Sequence, residues 1–343
     1  MQILRKSRMN RGWILLGPSV DPVKSYTGIM PLLYLHKCYA ENDVPEHSSE
    51  SYMHVFVTGA TGWVGSAVVQ ELIGAGHQVT GLARNPDRAV ALSAAGATVC
   101  LGTLDDLSLL RRQAAAADAV IHTAFNHDFS KYAENAQQDR RVIDAMGNAL
   151  LGSTKPLIVT AGVAGVAPGR VLLETDRTPQ NSPNPRRSEA AALAVAEQGV
   201  RSATVRLAPS VHGAGDYGFV PLLVRLARDT GVSAYVGDGM NRWPGVHRLD
   251  AAQLYRLAVE HGAAAPVYHA IADEGVAFKD IAQVIGDQLG IPVESRERAH
   301  FGWFADFASA DMPASSARTR SVLGWRPTGP DLLSDVSQAS YYE

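Results

Sequence analysis

The stretch VFVTGATGWVGSAVVQELIGAGHQV, residues 55–79, constrains the fold of this chain more than any other segment. An apolar run leads to Gly59, and Gly62 and Gly65 follow at three-residue spacing before a helical pattern begins. In this context, glycines let a strand turn tightly into a helix and let the backbone approach a phosphate closely. The helix N-terminus then offers free N–H groups to an anion. The stretch therefore predicts a phosphate-binding turn, and a turn without a ligand is the alternative.

The alternation of apolar strands with helical patterns continues to residue 162. Short loops between such elements are typical of a parallel sheet that is covered by helices on both faces. The predicted strands are VFVT, HQVTGLAR, ATVCLG, DAVIHTAF and KPLIVTAG. Helices are predicted over 63–75, 105–116 and 128–150, and a further helix opens with Asn85 and Pro86. After a proline-rich loop, the chain continues with a helix over 186–198 and the strand SATVRLAPSVHG. The fold class is therefore α/β.

The first 52 residues differ in composition from the rest of the chain. Up to position 40 they hold six lysines and arginines against one aspartate, Asp21. A basic start that is poor in acids is typical of an organelle transit peptide. An upstream extension outside the fold is the alternative, and we prefer it because Met53 stands directly before the first strand.

Composition excludes several classes of function. The net charge of −3 and the lack of a basic stripe argue against nucleic-acid binding. The sequence contains no run of about 18 apolar residues, so it predicts no membrane-spanning helix. Two cysteines make neither a disulfide framework nor a metal site and favour a reducing, cytoplasmic location. The histidines at 122, 127 and 247 lack the helical spacing of a metal-binding pair, so we predict no metal.

Four segments resemble the extended branch of the short-chain dehydrogenase/reductase superfamily, which includes NAD-dependent epimerases and dehydratases. They are TGATGWVG, VIHTAF, VRLAPSVHG and RTRSVLGWRPT, and the resemblance covers residues 53–328. It implies a Rossmann-type doubly wound sheet, mainly in residues 53–212, and a smaller C-terminal substrate lobe, mainly in 213–343, with possible strand returns to the main sheet. It also implies a small-molecule substrate and a homodimer formed through the helices over 128–150 and 186–198. The alternative is that the alanines of the second helix are only good helix formers that pack on the sheet.

The residues at the end of the second strand favour NADP over NAD. NAD enzymes of this architecture place an acid there, whereas this strand ends in Ala83, with Arg84 next and Arg88 one helical turn later. A guanidinium pairs well with a 2′-phosphate, although both arginines could instead be ordinary surface residues. The resemblance places further residues around the cofactor: Gly59, Thr61, Gly62, Trp63, Val64, Gly65, Thr103, Leu104, Ala124, Phe125, Pro209 and Val211.

The chain departs from the family's catalytic tetrad at all four positions. Pro185 stands for the tyrosine, Glu189 for the lysine, Ala161 for the serine and Asp139 for the asparagine. Proline offers no proton, and a glutamate cannot supply the stabilising cation that the lysine provides. The resemblance is therefore to an atypical subgroup without the Tyr-x-x-x-Lys motif.

If the chain is an enzyme, its proton donor lies elsewhere, and the candidates are Thr160, His212 and Tyr217. His212 stands where the family has a tyrosine in the loop that faces the nicotinamide. A histidine there could donate a proton near neutral pH, but a histidine that is only hydrogen-bonded within the loop is the alternative.

Two functions remain compatible with the sequence. The first is an NADP-dependent oxidoreductase or epimerase-like enzyme that acts on a secondary alcohol, a carbonyl or a nucleotide-sugar-like molecule. The second is a catalytically inactive NADP-binding protein with a sensor or regulatory role. The glycine turn supports both functions, and the replaced tetrad favours the second. The segment GDGMNRWPGVHRLDAAQLY, which resembles the family's substrate lobe, favours the first.

Overall fold

The structure is a computed structural model that describes residues 52–179 and 184–343. The expectation that residues 1–52 form an extension outside the fold concerns residues that, except for Tyr52, lie outside this description. Within the described part, no helix is both long enough and apolar enough to cross a membrane. The cytoplasmic location stays a prediction.

The strands of the described residues belong to three sheets. They are β1 (His54–Thr58), β2 (Gln78–Ala83), β3 (Thr98–Leu101), β4 (Ala119–His122), β5 (Pro156–Gly162), β6 (Arg201–Leu207), β7 (Ser210–His212), β8 (Ser233–Tyr235), β9 (Arg242–His247), β10 (Val267–Ala270), β11 (Asp273–Ala277) and β12 (Val293–Ser295). The main sheet has the order β10-β6-β5-β4-β1-β2-β3, and all of its neighbouring strands run parallel. This confirms the predicted Rossmann-type doubly wound sheet.

The helices of the described residues cover the main sheet and surround the two smaller sheets. They are α1 (Trp63–Gly74), α2 (Pro86–Ala94), α3 (Leu107–Ala116), α4 (Tyr132–Ala149), α5 (Ser188–Glu197), α6 (Phe219–Thr230), α7 (Arg248–Glu260), α8 (Phe278–Leu289), α9 (Ala305–Ala308), α10 (Ala317–Leu323) and α11 (Leu332–Val336). Helix α1 packs on α7, while α4 packs on both α3 and α5. Right-handed crossovers place these two groups on opposite faces of the sheet.

Two apolar cores hold these helices to the sheet. Val55 and Val57 of β1 belong to the core under α1 and α7, and Phe56 between them belongs to the core under α3, α4 and α5. All three side chains are fully buried. A strand buried on both faces needs a continuous apolar run, and the run VFV therefore predicts a strand of a parallel sheet.

The smaller sheets lie later in the chain. Strands β11, β9 and β7 form one of them, and β12 pairs with β8 in the other. A third apolar core includes Trp243, Phe278 and Phe304. Strand β10 lies in the main sheet beside β6. The division into a cofactor domain over 53–212 and a substrate lobe over 213–343 stays a prediction.

Several predicted elements end elsewhere than expected. The helix expected to start at residue 128 is interrupted, because the Asp128 side chain caps a short 3₁₀ turn over Phe129–Lys131 and α4 begins only at Tyr132. The strand SATVRLAPSVHG is two strands: β6 stays in the main sheet, and β7 pairs with β9. Pro209 stands between them, and proline offers no N–H to a strand ladder. The Asn85 cap with Pro86 in the first turn of α2 is confirmed.

The outer face of α5 generates a prediction about assembly. Ala191 and Ala192 are buried, whereas Leu193 and Ala194 are exposed. We expect a homodimer through α4 and α5, with Leu193 at the contact. Leu193→Glu would place a carboxylate in an apolar interface, which is costly without a partner. Light scattering should show a dimer for the wild type and a monomer for this variant.

The matched control for this prediction is Val90→Glu, which makes the same kind of change on α2, where Val90 is also exposed. This variant should remain a dimer. A monomeric wild type at micromolar concentration would contradict the prediction, and so would a dimer that survives Leu193→Glu.

Candidate cofactor-binding and active site

The turn from β1 to α1 leaves no room for side chains at two of its glycines. Gly59 has a φ of +71°, and a Cβ there would lie 2.6 Å from the backbone nitrogen of Ala124. A Cβ on Gly65 would lie 2.1 Å from the carbonyl oxygen of Gly59. The Gly62 N–H donates to that same oxygen at 2.8 Å and closes the turn. Glycine is therefore required at both crowded positions for the turn to approach β4.

The front of the turn has the properties of a phosphate site. A Cβ on Gly62 would meet only the Gly59 oxygen, at 3.2 Å, and no other atom of the described residues within 4 Å. The first hydrogen bond of α1 runs from Ser66 N–H to the Gly62 carbonyl, so the N–H groups of 63–65 precede it. These unpaired donors and the positive end of the helix dipole favour an anion. The residues present fit a dinucleotide phosphate.

The segments expected at the adenosine end lie at the carboxyl ends of β2 and β3. Arg84 directly follows β2, Arg88 lies on α2, and both are exposed. Neither guanidinium forms an ion pair within the described part of the chain. Thr103 accepts a hydrogen bond from the Asp105 N–H at 3.3 Å, and Leu104 is buried.

The segments expected at the nicotinamide end are tied to the start of α1. The Trp63 indole N–H donates to the Val211 carbonyl at 2.6 Å. The Arg248 guanidinium lies 4.2 Å from the centre of the Trp63 ring and donates to the Ser66 hydroxyl at 2.7 Å. Trp63 thus joins the glycine turn to the segment around Pro209, and Arg248 is a contact that the sequence analysis missed.

Two of the three predicted proton donors have side chains that are buried and hydrogen-bonded within the protein. Thr160 is buried, donates to the His122 carbonyl at 2.8 Å and lies 2.6 Å from the hydroxyl of Tyr255. His212 has no exposed surface, and its Nδ1 lies 2.9 Å from Asp335. Burial lowers the pKa of His212, against the opposing effect of Asp335, which raises it. These placements weigh against a direct catalytic role for Thr160 and His212.

Tyr217 differs from the other two candidates because its side chain is 65% exposed. Its ring meets Trp63 edge-on, with 5.7 Å between the ring centres. Its hydroxyl has no hydrogen-bond partner among residues 52–179 and 184–343. Tyr217 therefore lies beside the glycine turn with a hydroxyl that is available to a ligand, and its catalytic role stays a prediction.

Glu189, at the position expected for the family lysine, pairs with a buried arginine. Both of its carboxylate oxygens accept hydrogen bonds from Arg206, at 2.6 and 2.7 Å. The Arg206 side chain is fully buried, and its other contacts include the carbonyl of Asp176 and a nitrogen of His269. Glu189 compensates a charge within the fold and is not free to act on a substrate.

Asp139, at the position expected for the family asparagine, lies in a buried polar chain. His122 bridges Thr58 and Asp139, with distances of 2.6 Å from Nδ1 to the threonine hydroxyl and 3.1 Å from Nε2 to the carboxylate. The second oxygen of Asp139 accepts from Ser188 at 2.5 Å. Burial by itself would raise the pKa of Asp139, but hydrogen bonds from His122 and Ser188 and the charge of Arg186 bring it below its ordinary value.

The polar chain continues to Arg186, which the sequence analysis did not single out. Arg186 donates through Nε to the Ser188 hydroxyl at 2.8 Å and through Nη2 to the Thr160 carbonyl at 2.9 Å. Its guanidinium stacks 4.1 Å from the centre of the Phe125 ring. Its position as the first residue of the helix predicted over 186–198 was the only signal in the sequence.

The remaining predicted positions carry no reactive group. Ala161 and Pro185 offer neither a hydroxyl nor an amine, and both lie at the carboxyl edge of the main sheet, at the end of β5 and before α5. No group of three metal-ligating side chains occurs in the part of the chain that the structure describes.

Comparisons with known proteins agree with this architecture. The sequence profile of the NAD dependent epimerase/dehydratase family matches residues 55–272. An uncharacterized protein of Schizosaccharomyces pombe is 48% identical over 296 residues, which are 84% of this chain and all of that protein.

Two further similarities are more distant. A Stigmatella aurantiaca protein, 4-hydroxy-2-methyl-3-oxo-4-farnesyl-3,4-dihydroquinoline-1-oxide ketoreductase, is 28% identical over 76% of this chain and 84% of its own length. The crystal structure of a dTDP-glucose 4,6-dehydratase from Streptomyces venezuelae, with NAD and TYD bound, has a TM-score of 0.68 at 19% identity and covers 84% of this chain and 97% of its own.

The pairing of Glu189 with Arg206 generates a stability prediction. Glu189→Ala should lower the free energy of unfolding by about 3–5 kcal/mol, because it leaves a buried guanidinium without its carboxylate. Chemical denaturation should show this loss as a lower midpoint. Glu197→Ala, on the exposed side of the same helix, is the matched control and should change stability by no more than about 0.5 kcal/mol. Equal stabilities of the two variants would contradict the assignment.

Proposed function

The chain belongs to the NAD dependent epimerase/dehydratase family, and we propose that it is an NADP-dependent oxidoreductase of small carbonyl compounds or secondary alcohols. The observation that carries the proposal is the open glycine turn at the start of α1, with Arg84 directly after the neighbouring strand β2 and Arg88 on α2, neither of them in an ion pair among the described residues. The candidate substrates are ketones, aldehydes and nucleotide-sugar-like molecules. The name of the Stigmatella aurantiaca relative, a ketoreductase, supports the first of these.

The residues that would hold the dinucleotide lie at the carboxyl ends of the central strands. The N–H groups of 63–65 would hold the pyrophosphate, and Leu104, Ala124 and Phe125 would contact the rest of the cofactor. NADP, when bound, supplies or accepts a hydride. The chain's own residues bind and orient the reactants and exchange a proton with the substrate oxygen.

Arg84 and Arg88 are the basis for preferring NADP to NAD. They are exposed, lie beside the end of β2 and have no carboxylate partner within the described residues. A guanidinium donates paired hydrogen bonds to a phosphate, whereas a ribose hydroxyl is better served by an acid. The absence of an acid between Gly81 and Arg84 points the same way.

Tyr217 is our proposed proton donor. A general acid must reach the substrate oxygen, and Tyr217 presents its hydroxyl beside Trp63 at the carboxyl edge of the sheet. Arg248 also stacks on Trp63, so it brings a cation to the same ring that Tyr217 contacts edge-on. This pair would replace the tyrosine and lysine of the family.

A second candidate function is an NADP-binding protein without turnover. The observation that favours it is the use of Asp139 and Glu189 in buried contacts, which leaves both positions without a catalytic task. NADPH oxidation against ketones, aldehydes and nucleotide sugars separates the two functions. Turnover of any of these substrates supports the oxidoreductase, whereas tight NADPH binding without turnover across the panel supports the second function.

The cofactor preference is testable by titration. NADPH should bind at least about tenfold more tightly than NADH, which corresponds to about 1.4 kcal/mol. Fluorescence titration of the wild type and of Arg84→Ala should show that the variant loses most of this preference, because the 2′-phosphate loses a charged partner. Arg140→Ala, an exposed arginine on α4, is the control and should keep the preference. Equal affinities of the wild type for both cofactors would contradict NADP specificity.

The role of Tyr217 is testable by removing one hydroxyl. Tyr217→Phe should lower kcat by about 10²–10⁴-fold while leaving NADPH affinity unchanged, as expected for the loss of a general acid. Tyr52→Phe removes the hydroxyl of an equally exposed tyrosine before β1 and should have no effect. A Tyr217→Phe enzyme with wild-type kcat would rule out this proton donor.

A further inference from the structure

Arg186 has more hydrogen-bond donors than the described residues of the chain use. A guanidinium carries five N–H donors. Two of them are used, by the Ser188 hydroxyl and the Thr160 carbonyl, and Nη1 has no hydrogen-bond partner among the described residues. The half-buried side chain is fixed by these two bonds and by its stacking on Phe125. Its orientation is therefore set by the protein while part of its binding capacity is unused.

Arg186 has no carboxylate in direct contact among the described residues, and the nearest charge effect is on Asp139, which it reaches through Ser188. Two acids lie on the adjoining elements, and both are occupied. Asp139 accepts hydrogen bonds from Ser188 and His122, and Glu189 is bound bidentately by Arg206. Within residues 52–179 and 184–343, no carboxylate lies within ion-pair distance of Arg186. A half-buried cation without a direct ion-pair partner favours binding of an anion.

A cavity of about 220 Å³ lies beside Arg186. Its walls combine the end of β5, at Ala161 and Gly162, with the start of α5. Arg187, Thr178 and Glu189 also line it, and the Glu189 carboxylate is bound by Arg206. The cavity is smaller than the pockets of about 300–1,000 Å³ that hold drug-sized ligands. It therefore suits a small ligand.

Arg186 also lies at the same edge of the main sheet as the glycine turn. Phe125, on which it stacks, directly follows Ala124, and the Ala124 nitrogen is the atom that a Cβ on Gly59 would strike. The Thr160 carbonyl that it binds lies at the carboxyl end of β5, next to β4. A ligand on Arg186 is thus at the sheet edge where the cofactor turn is built.

We propose that Arg186 binds the carboxylate of the substrate, and that the substrate class is a small oxo acid or its hydroxy-acid counterpart. This inference rests on the proposed oxidoreductase function. A carboxylate matches the planar fork of a guanidinium, which donates two parallel hydrogen bonds to it. The carboxylate supplies the direct ion-pair partner that Arg186 lacks among the described residues, and its attachment holds the carbonyl group at the sheet edge.

The experiment compares acids with neutral molecules of the same shape. Pyruvate, 3-oxobutanoate and 4-oxopentanoate, which differ in the spacing of ketone and carboxylate, are titrated calorimetrically into protein saturated with NADP⁺. Their methyl esters keep the ketone and remove the charge. At least one acid should bind about tenfold or more tightly than its ester, a difference of about 1.4 kcal/mol.

Variants assign this preference to Arg186. Arg186→Gln should abolish the difference between acid and ester while leaving NADP⁺ affinity unchanged. Arg186→Lys keeps the charge but loses the fork, and it should retain only part of the preference. Arg140→Gln makes the same charge change on the exposed face of α4 and should behave as the wild type. Thermal melting of each variant verifies its fold, and Arg186→Lys decides the question if Arg186→Gln does not fold.

Each outcome of the titration supports or overturns the inference. Equal binding of acids and esters, or no binding of any acid, contradicts it, as does a preference that survives Arg186→Gln. Loss of NADP⁺ affinity in Arg186→Gln would assign this arginine to the cofactor instead. A wild type that binds neither NADP⁺ nor NADPH would contradict the proposed function itself, which separates the failure of the proposed function from a failure of the carboxylate site alone.

Discussion

The close approach of α1 to the end of β1 is the constraint on which the rest of the site depends. A Cβ on Gly65 would lie 2.1 Å from the Gly59 oxygen, so the helix can start at this point only without a side chain there. That approach directs the first N–H groups of α1 toward the sheet edge and brings Trp63 against the Val211 carbonyl. One steric condition in the backbone thus positions both the phosphate site and the loop after β6.

Buried polar groups fix the other side of the site. Asp139 and Arg206 are both buried, and each is satisfied by hydrogen bonds to charged or polar partners. Such groups are costly to leave unpaired, so each one fixes the position of its partner. Through Ser188, the chain of bonds from Asp139 reaches Arg186 and orients its guanidinium. The same residues that could have performed catalysis at these positions instead hold the start of α5.

The local features of the fold were predictable from sequence, whereas long-range partners were not. The strand VFV, the glycine turn and the Asn85 cap follow from patterns within a few residues, and the structure confirms them. The contact of Glu189 with Arg206 joins α5 to β6, and that of His212 with Asp335 spans 123 positions. No pattern in the sequence encodes contacts between residues that lie so far apart along the chain. Predicting His212 as a proton donor therefore relied on its loop position alone, without the burial that the fold gives it.

A crystal structure with NADPH bound is the most direct test of the phosphate site, because it locates the phosphates on the chain. We predict that the pyrophosphate lies within about 3 Å of the N–H groups of 63–65 and that the 2′-phosphate lies against Arg84. A dinucleotide bound elsewhere on the sheet, or one whose 2′-phosphate points away from both Arg84 and Arg88 into solvent, would contradict it.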